Sequence, residues 1–239
     1  MKSAGCILLA VTNVSELCMW MESNNKVYGR TNNPYHTGRT VGGSSGGEGC
    51  VISAGGSAWG VGSDVGGSIR MPAFFNGIFG HKPSTGIVEN AGQLPQAYGI
   101  INTYLGRFAK VLKHNSHSFI VVTGPMCRFA EDLAPMLKIL AKPETLPRLK
   151  LDARVDFSKL RVYYLEDDGG FPLITSVHPE LRQAQARLLD TLRELGMTVT
   201  RAKLPNMFYS LPIWTESMAS EPSMKKFSAE LVQVNMMTK

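Results

Sequence analysis

Between Gly42 and Ser68 the chain reads GGSSGGEGCVISAGGSAWGVGSDVGGS, and two serine clusters bracketed by glycine pairs stand at its ends, with Ser44 and Ser68 24 residues apart. Fifteen of the 24 glycines fall between Gly38 and Gly86. Glycine loses more conformational freedom on folding than any other residue, and it serves where the backbone takes a positive φ or comes close to another group. Two such loops in one short span predict backbone amides aimed at a ligand or a reacting atom. They also exclude a single uninterrupted helix or strand through this region.

Three chemistries use such loops. Phosphate cradling at a helix N-terminus is the first. A Walker loop needs a lysine after its second glycine, and neither cluster has one; a dinucleotide fingerprint fails because Val65 stands where the third glycine of Gly60-x-Gly62-x-x-Gly belongs. The second is a nucleophile elbow, since Gly43-Ser44-Ser45-Gly46-Gly47 formally matches Gly-x-Ser-x-Gly. That elbow needs a strand directly before it, whereas YHTGRTV precedes here, and His36, His81, His114, His117 and His178 show no order that a triad would select. The third uses both clusters. With Ser68 as nucleophile at the start of a helix, the amides of Val65, Gly66, Gly67 and Ser68 converge on the oxygen of an attacked carbonyl. A serine hydroxyl needs a base to take its proton. Ser44 can relay that proton, provided something basic, such as a neutral lysine, receives it.

Composition narrows the partners. In 239 residues, 44% hydrophobic and 18% charged, the chain is in the globular range. A net charge of +6 has no basic run behind it: the densest cluster, Arg148 to Arg161, is interleaved with Asp152 and Asp156, so no nucleic-acid partner is expected. Cys6, Cys18, Cys50 and Cys127 are far apart, without metal-ligand spacing, which predicts a reduced intracellular protein with no metal and no cofactor. The opening MKSAGCILLAVTNV lacks the cleavage site of a signal peptide, so the sequon Asn13-Val14-Ser15 is read as unused. No apolar run reaches 18 residues.

Local patterns predict an α/β fold with a mostly parallel or mixed sheet covered by helices. CILLAV (Cys6 to Val11) reads as a buried strand, followed by a polar loop containing Asn24, Asn25, Asn32, Asn33 and Pro34. Ser44 or Ser45 caps a helix through GEGCVISAGG, and SAWGVGSD is the next strand. In FAEDLAPMLKILA, Leu133, Met136, Leu137 and Leu140 lie on one helical face. LRVYYL, a helix over Pro179–Leu195 with Leu181, Ala184, Leu188, Leu189, Leu192 and Leu195 on one face, and MTVTRAKL form a strand-helix-strand unit over about 160–204. The tail from Leu204 to Lys239 shows no stable period, and Ile101–Phe119 is half helical in pattern and half polar.

The stretch GRTVGGSSGGEGCVISAGGSAWGVGSDVGGSIRMPAFFNGIFGHKPSTG resembles the signature of the amidase signature enzymes. TNVSELCMWMESNNKVYGRTNNPY and TGPMCRFAEDLAPMLKIL are similar to the fatty-acid amide hydrolases of that family, and the resemblance runs from about Ser3 to Leu204. It implies the amidase signature fold and a Ser-Ser-Lys triad that hydrolyses amides through an acyl-enzyme. By position in the motif, Ser68 matches the nucleophile and Ser44 the bridging serine, which follows a cis peptide bond in the family. Val65, Gly66, Gly67 and Ser68 match the oxyanion amides; Ser45, Asp64 and Arg70 match supporting groups, Asp64 and Arg70 reading equally as a structural ion pair. Cys18, Met19, Trp20 and Met21 match the segment lining the acyl pocket, with Met19 and Met21 as pocket residues; from the residues alone they are equally ordinary core. Phe74 and Phe75 are expected to pack beneath the nucleophile helix. A lipid amide is the implied small-molecule substrate.

The pattern departs from the family in one chemical respect. The catalytic lysine should lie in a motif upstream of Ser44, and nothing there resembles it: Lys2 and Lys26 are in other segments, and Lys82 matches a different, downstream position. The chain is therefore read as an incomplete amidase domain with its signature core at about 38–86, an insertion at 101–119, and no membrane-anchoring N-terminal segment. Without the base it is expected to lose about 10²–10⁴-fold of catalysis. The other reading is a non-catalytic binding or regulatory remnant of the fold.

Overall fold

The computed structural model describes residues 1–91, 122–167, 169–172, 174–204 and 206–213. The expected insertion over 101–119, with His114 and His117, and the tail beyond residue 213 lie outside the described residues. The chain divides into two compact units, Met1–Leu151 and Asp152–Lys239.

In the first unit the asparagine-rich segment, expected to be a loop, forms two short hairpins. β1 (Asn24–Asn25) pairs antiparallel with β2 (Gly29–Arg30), and β3 (Asn32–Asn33) with β4 (His36–Thr40). Asparagine makes these turns because its side-chain oxygen stands in for a backbone acceptor. Asn25 Oδ1 accepts from the amides of Val27 (3.0 Å) and Tyr28 (2.8 Å), and Asn33 Oδ1 from that of Tyr35 (2.9 Å). Asn13, in the sequon, is committed to the same region: its Nδ2 donates to Thr31 Oγ1 at 2.9 Å and its carbonyl accepts from Gly47 at 3.0 Å.

Next come α1 (Gly46–Ser53), β5 (Trp59–Asp64), α2 (Arg70–Phe75), β6 (Phe79–Gly80) and β7 (Val122–Cys127). The three strands form an antiparallel sheet in the order β5-β7-β6, with Trp59 opposite Cys127 and Asp64 opposite Val122. Pro125 sits in the central strand, where a missing N–H normally breaks a ladder. Its carbonyl accepts from His81, just past the end of the two-residue β6, so no ladder bond toward β5 is lost. Ile52 from α1, Ile69, Ala73 from α2, Ile78 and Met126 close the core between helices and sheet.

The apolar run Cys6–Val11 corrects the expectation of a buried strand. It has no regular structure, and Ile7, Leu8, Leu9 and Val11 are exposed. A strand is stabilised by a partner's backbone, and none of the described residues pairs with this segment. By contrast α3 (Leu133–Leu140) buries the predicted stripe, with Met136 and Leu137 inside and Leu133 and Leu140 half-buried. Leu137 joins Ile87, Val88 and Ala141 in a second core cluster, against which Leu146 and Leu149 of α4 (Leu146–Leu149) pack.

The second unit is built on a parallel pair, β8 (Arg161–Tyr164) and β9 (Thr198–Arg201), joined through α5 (Pro179–Glu194). Pro179 opens the helix, His178 Nδ1 accepts from Glu180 N at its start (3.3 Å), and Gly196 at φ 87° ends it. Only part of the predicted apolar stripe is covered. Leu189 is buried, whereas Leu181, Leu188 and Leu195 are exposed, because two four-residue strands are narrower than the stripe.

Candidate active site

The two serine clusters meet where α1 begins beside the end of β5. Ser45 N donates to the Ser68 carbonyl at 3.2 Å, and Ser45 Oγ accepts from Ser63 N of β5 at 3.4 Å. Ser44 and Ser45 are buried and Ser68 is half-buried. The Gly43–Ser44 peptide is cis.

Ser45 occupies the capping position of α1, yet its side chain does not cap. Ser23 does this instead, from a distant loop: its hydroxyl accepts from Gly46 N at 2.8 Å and lies 3.0 and 3.1 Å from the carbonyl oxygens of Gly42 and Ser44. Ser45 is thereby released to meet β5. Burial pushes the nearby Glu48 carboxyl up, and the Val61 amide draws it back. Ser23→Ala is expected to lower stability by about 1–3 kcal/mol, the cost of leaving a buried polar group unpaired. Urea denaturation checks it as a lower midpoint at unchanged slope.

Asp64, fully buried at the end of β5, organises the second cluster. Its carboxylate accepts from the amides of Gly67 (2.8 Å), Ile69 (3.1 Å) and Arg70 (3.3 Å) and from Arg70 Nε and Nη2, both at 3.0 Å. Burial pushes this carboxyl up, but the Arg70 side chain, the Ile69 and Gly67 amides and the Lys82 charge together outweigh it and hold it at about 2. Asp64 and Arg70 thus act both as an ion pair and as supports for the loop.

This arrangement narrows the expected set of oxyanion amides. Gly67, at φ 135°, gives its N–H to Asp64 and is not available to a substrate. The amides of Val65, Gly66 and Ser68 and the Ser68 hydroxyl have no hydrogen-bond partner among the described residues. Ser68 stands in a turn two residues before α2 rather than on the helix itself. Burial pushes the Cys18 thiol up, and the Ser44 hydroxyl draws it back. Leu17 and Cys18 take φ of 55° and 59°.

Other expectations are placed differently. Met19, Trp20 and Met21 are exposed, Met21 to 59%, so they are not ordinary core. Phe74 and Phe75 are exposed too, because α2 turns Pro72 and Ala73 inward. The described histidines serve elsewhere: His36 and His178 accept from nearby amides, and His81, pushed down by burial, bonds through its backbone. Lys82, which the sequence pattern leaves outside the triad, sits against the site, its Nζ donating to the carbonyl oxygens of Asp64 and Val65, both at 3.0 Å. Only its spacing from Asp64 after an intervening helix could have signalled this. Among the described residues no cluster of His, Cys, Asp and Glu is arranged to hold a metal.

A family model described as Amidase matches residues 1–238. The chain belongs to the amidase family. It is 51% identical over 222 residues to fatty-acid amide hydrolase 2 of Homo sapiens, an alignment covering 92% of this chain and 38% of that protein. A solved fatty acid amide hydrolase superposes with a TM-score of 0.64 at 26% identity, covering 88% of this chain and 37% of the other. The native peptide amidase of Stenotrophomonas maltophilia superposes with a TM-score of 0.64 at 23% identity over 91% of this chain and 42% of the other, which shows the shared α/β fold. This amidase chain therefore spans about two-fifths of the length of the human protein it matches.

Proposed function

We propose that this chain carries the nucleophile half of a serine amidase acting on fatty-acid amides. The observation that carries the reading is a hydroxyl and three amides, those of Val65, Gly66 and Ser68, without partners among the described residues, in a loop where the amides of Gly67, Ile69 and Arg70 are taken by Asp64. In the proposed reaction Ser68 Oγ attacks the amide carbonyl carbon and passes its proton to Ser44 Oγ, whose own proton goes to a lysine amine. The carbonyl oxygen takes up negative charge facing the free amides. Collapse of the intermediate returns a proton through Ser44 to the leaving amine and leaves an ester on Ser68; water then releases the fatty acid. Ser45, Asp64 and Arg70 hold the loop.

Nothing before Ser44 resembles the family's lysine motif, so the lysine is proposed to come from outside the described residues, and the described residues alone to hydrolyse weakly. The fatty-acid substrate is supported by the relatives' names and by the exposed Met19, Trp20 and Met21, whose backbone runs beside Gly43. Four free cysteines support an intracellular setting. Membrane association belongs to the same proposal and would use another segment, since no described helix is long and apolar enough to cross a membrane.

A fluorophosphonate probe tests the assignment. Ser68→Ala is expected to abolish labelling and Ser45→Ala to preserve it. Labelling that survives Ser68→Ala and vanishes with Ser45→Ala would give the nucleophile to Ser45, and a folded chain that never labels would favour the non-catalytic remnant.

A further inference from the structure

The geometry points to Lys82 as a positioning residue that aims the free amides of Val65 and Gly66, an inference that rests on the proposed reaction at Ser68. Lys82 Nζ lies 3.0 Å from the carbonyl oxygen of Asp64, 3.0 Å from that of Val65 and 3.4 Å from Asp64 Oδ1. The peptides joining Asp64 to Val65 and Val65 to Gly66 are trans. In a planar trans peptide the N–H points opposite to the C=O. A cation that draws both carbonyls to one side therefore turns the Val65 and Gly66 N–H groups to the other.

Asp64 completes the arrangement with the opposite charge. Its carboxylate takes the amides of Gly67, Ile69 and Arg70, so an anion holds three of the N–H groups after Gly66, all but that of Ser68, while a cation holds the C=O groups before it. Between them the loop has two consecutive N–H groups on one side and the Ser68 N–H beyond. Consecutive amides of this kind form an anion-binding concavity. Gly66 is exposed and glycine has no side chain to hold its own orientation, so the peptide before it depends on what grips its carbonyl. Lys82 also comes from the segment after β6, which ties the loop to the sheet.

The role is one of orientation, with no proton moved by Lys82 and no contact with the reacting atoms. Lys82→Met and the charge-keeping Lys82→Arg, studied in the full chain, test it with two readouts. The first is the backbone ¹³C resonance of the Asp64 and Val65 carbonyls, expected to move in Lys82→Met and to return toward the parent position in Lys82→Arg. The second is the rate of fluorophosphonate labelling at Ser68, measured well below each variant's melting temperature so that all are folded. Loss of one oxyanion donor costs about 10²–10³-fold, and a donor merely misaimed is expected to cost about 10- to 100-fold in Lys82→Met, with partial recovery in Lys82→Arg. Should Lys82→Met not fold, Lys82→Gln carries the same comparison. Unmoved carbonyl resonances, or equal labelling rates in folded variants, would overturn the role of Lys82 while leaving the reaction at Ser68 intact. A parent chain that never labels at Ser68 would remove the reaction, and this role with it.

Discussion

Asp64→Ala is expected to destabilise the first unit by about 3–5 kcal/mol and to abolish labelling at Ser68. Arg70 is half-exposed and can be rehydrated, but the Gly67 and Ile69 amides are buried, and each unpaired buried donor costs about 1–3 kcal/mol. The same carboxylate sets an acid limit. Its folded value of about 2 lies below its ordinary 3.8, so the unfolded chain binds the extra proton between them. The contribution, about 2 kcal/mol, is fully present above the ordinary value and is lost as pH falls from about 4 toward 2. Denaturant titrations at several pH values should show the parent chain losing stability through that window, and Asp64→Ala lacking this component of the loss.

Gly46→Ala is expected to reverse the usual sign of a glycine-to-alanine change. In a helix such a substitution ordinarily stabilises by up to about 1 kcal/mol. Here the new Cβ would land on the Ser23 hydroxyl, 2.6 Å from Val41 Cγ1 and 2.8 Å from Ser23 Cβ. Overpacking costs about 1–3 kcal/mol and the displaced hydroxyl, which bridges Gly42, Ser44 and Gly46, a similar amount, so a loss of about 3–5 kcal/mol follows. Gly86→Ala is the contrast: at φ 82° with open space around it, only the left-handed backbone opposes the change, at about 1–2 kcal/mol. Thermal unfolding of the two variants separates close approach from conformation.

What is legible in the sequence follows the range of the interactions involved. The helix over Leu133–Leu140 and the strand-helix-strand around Pro179–Glu194 depend on periodicity and end signals within a few residues, and both form as expected. Cys6–Val11 misleads because a strand's partner is remote in sequence, and composition cannot say whether one is present. Ser45 reads as a cap because the residues between it and Ser23 hide the hydroxyl that reaches Gly46 from 23 positions away. The site divides the same way. The glycine-serine pattern marks the loop, but which amides stay free depends on Asp64 folding back onto Gly67, and which carbonyls are gripped depends on Lys82 arriving after a helix and a strand.

In the proposed reaction an acyl group passes through Ser68. Brief incubation with a fatty-acid nitrophenyl ester, acid quench and mass analysis of the tryptic peptide Thr40–Arg70 test it directly, since that peptide carries Ser44, Ser45 and Ser68 together. A mass increase of one acyl group, mapped by fragmentation to Ser68 and absent in Ser68→Ala, is the expected result. An acyl group on Ser44 or Ser45, or a folded chain that acquires none, would contradict it.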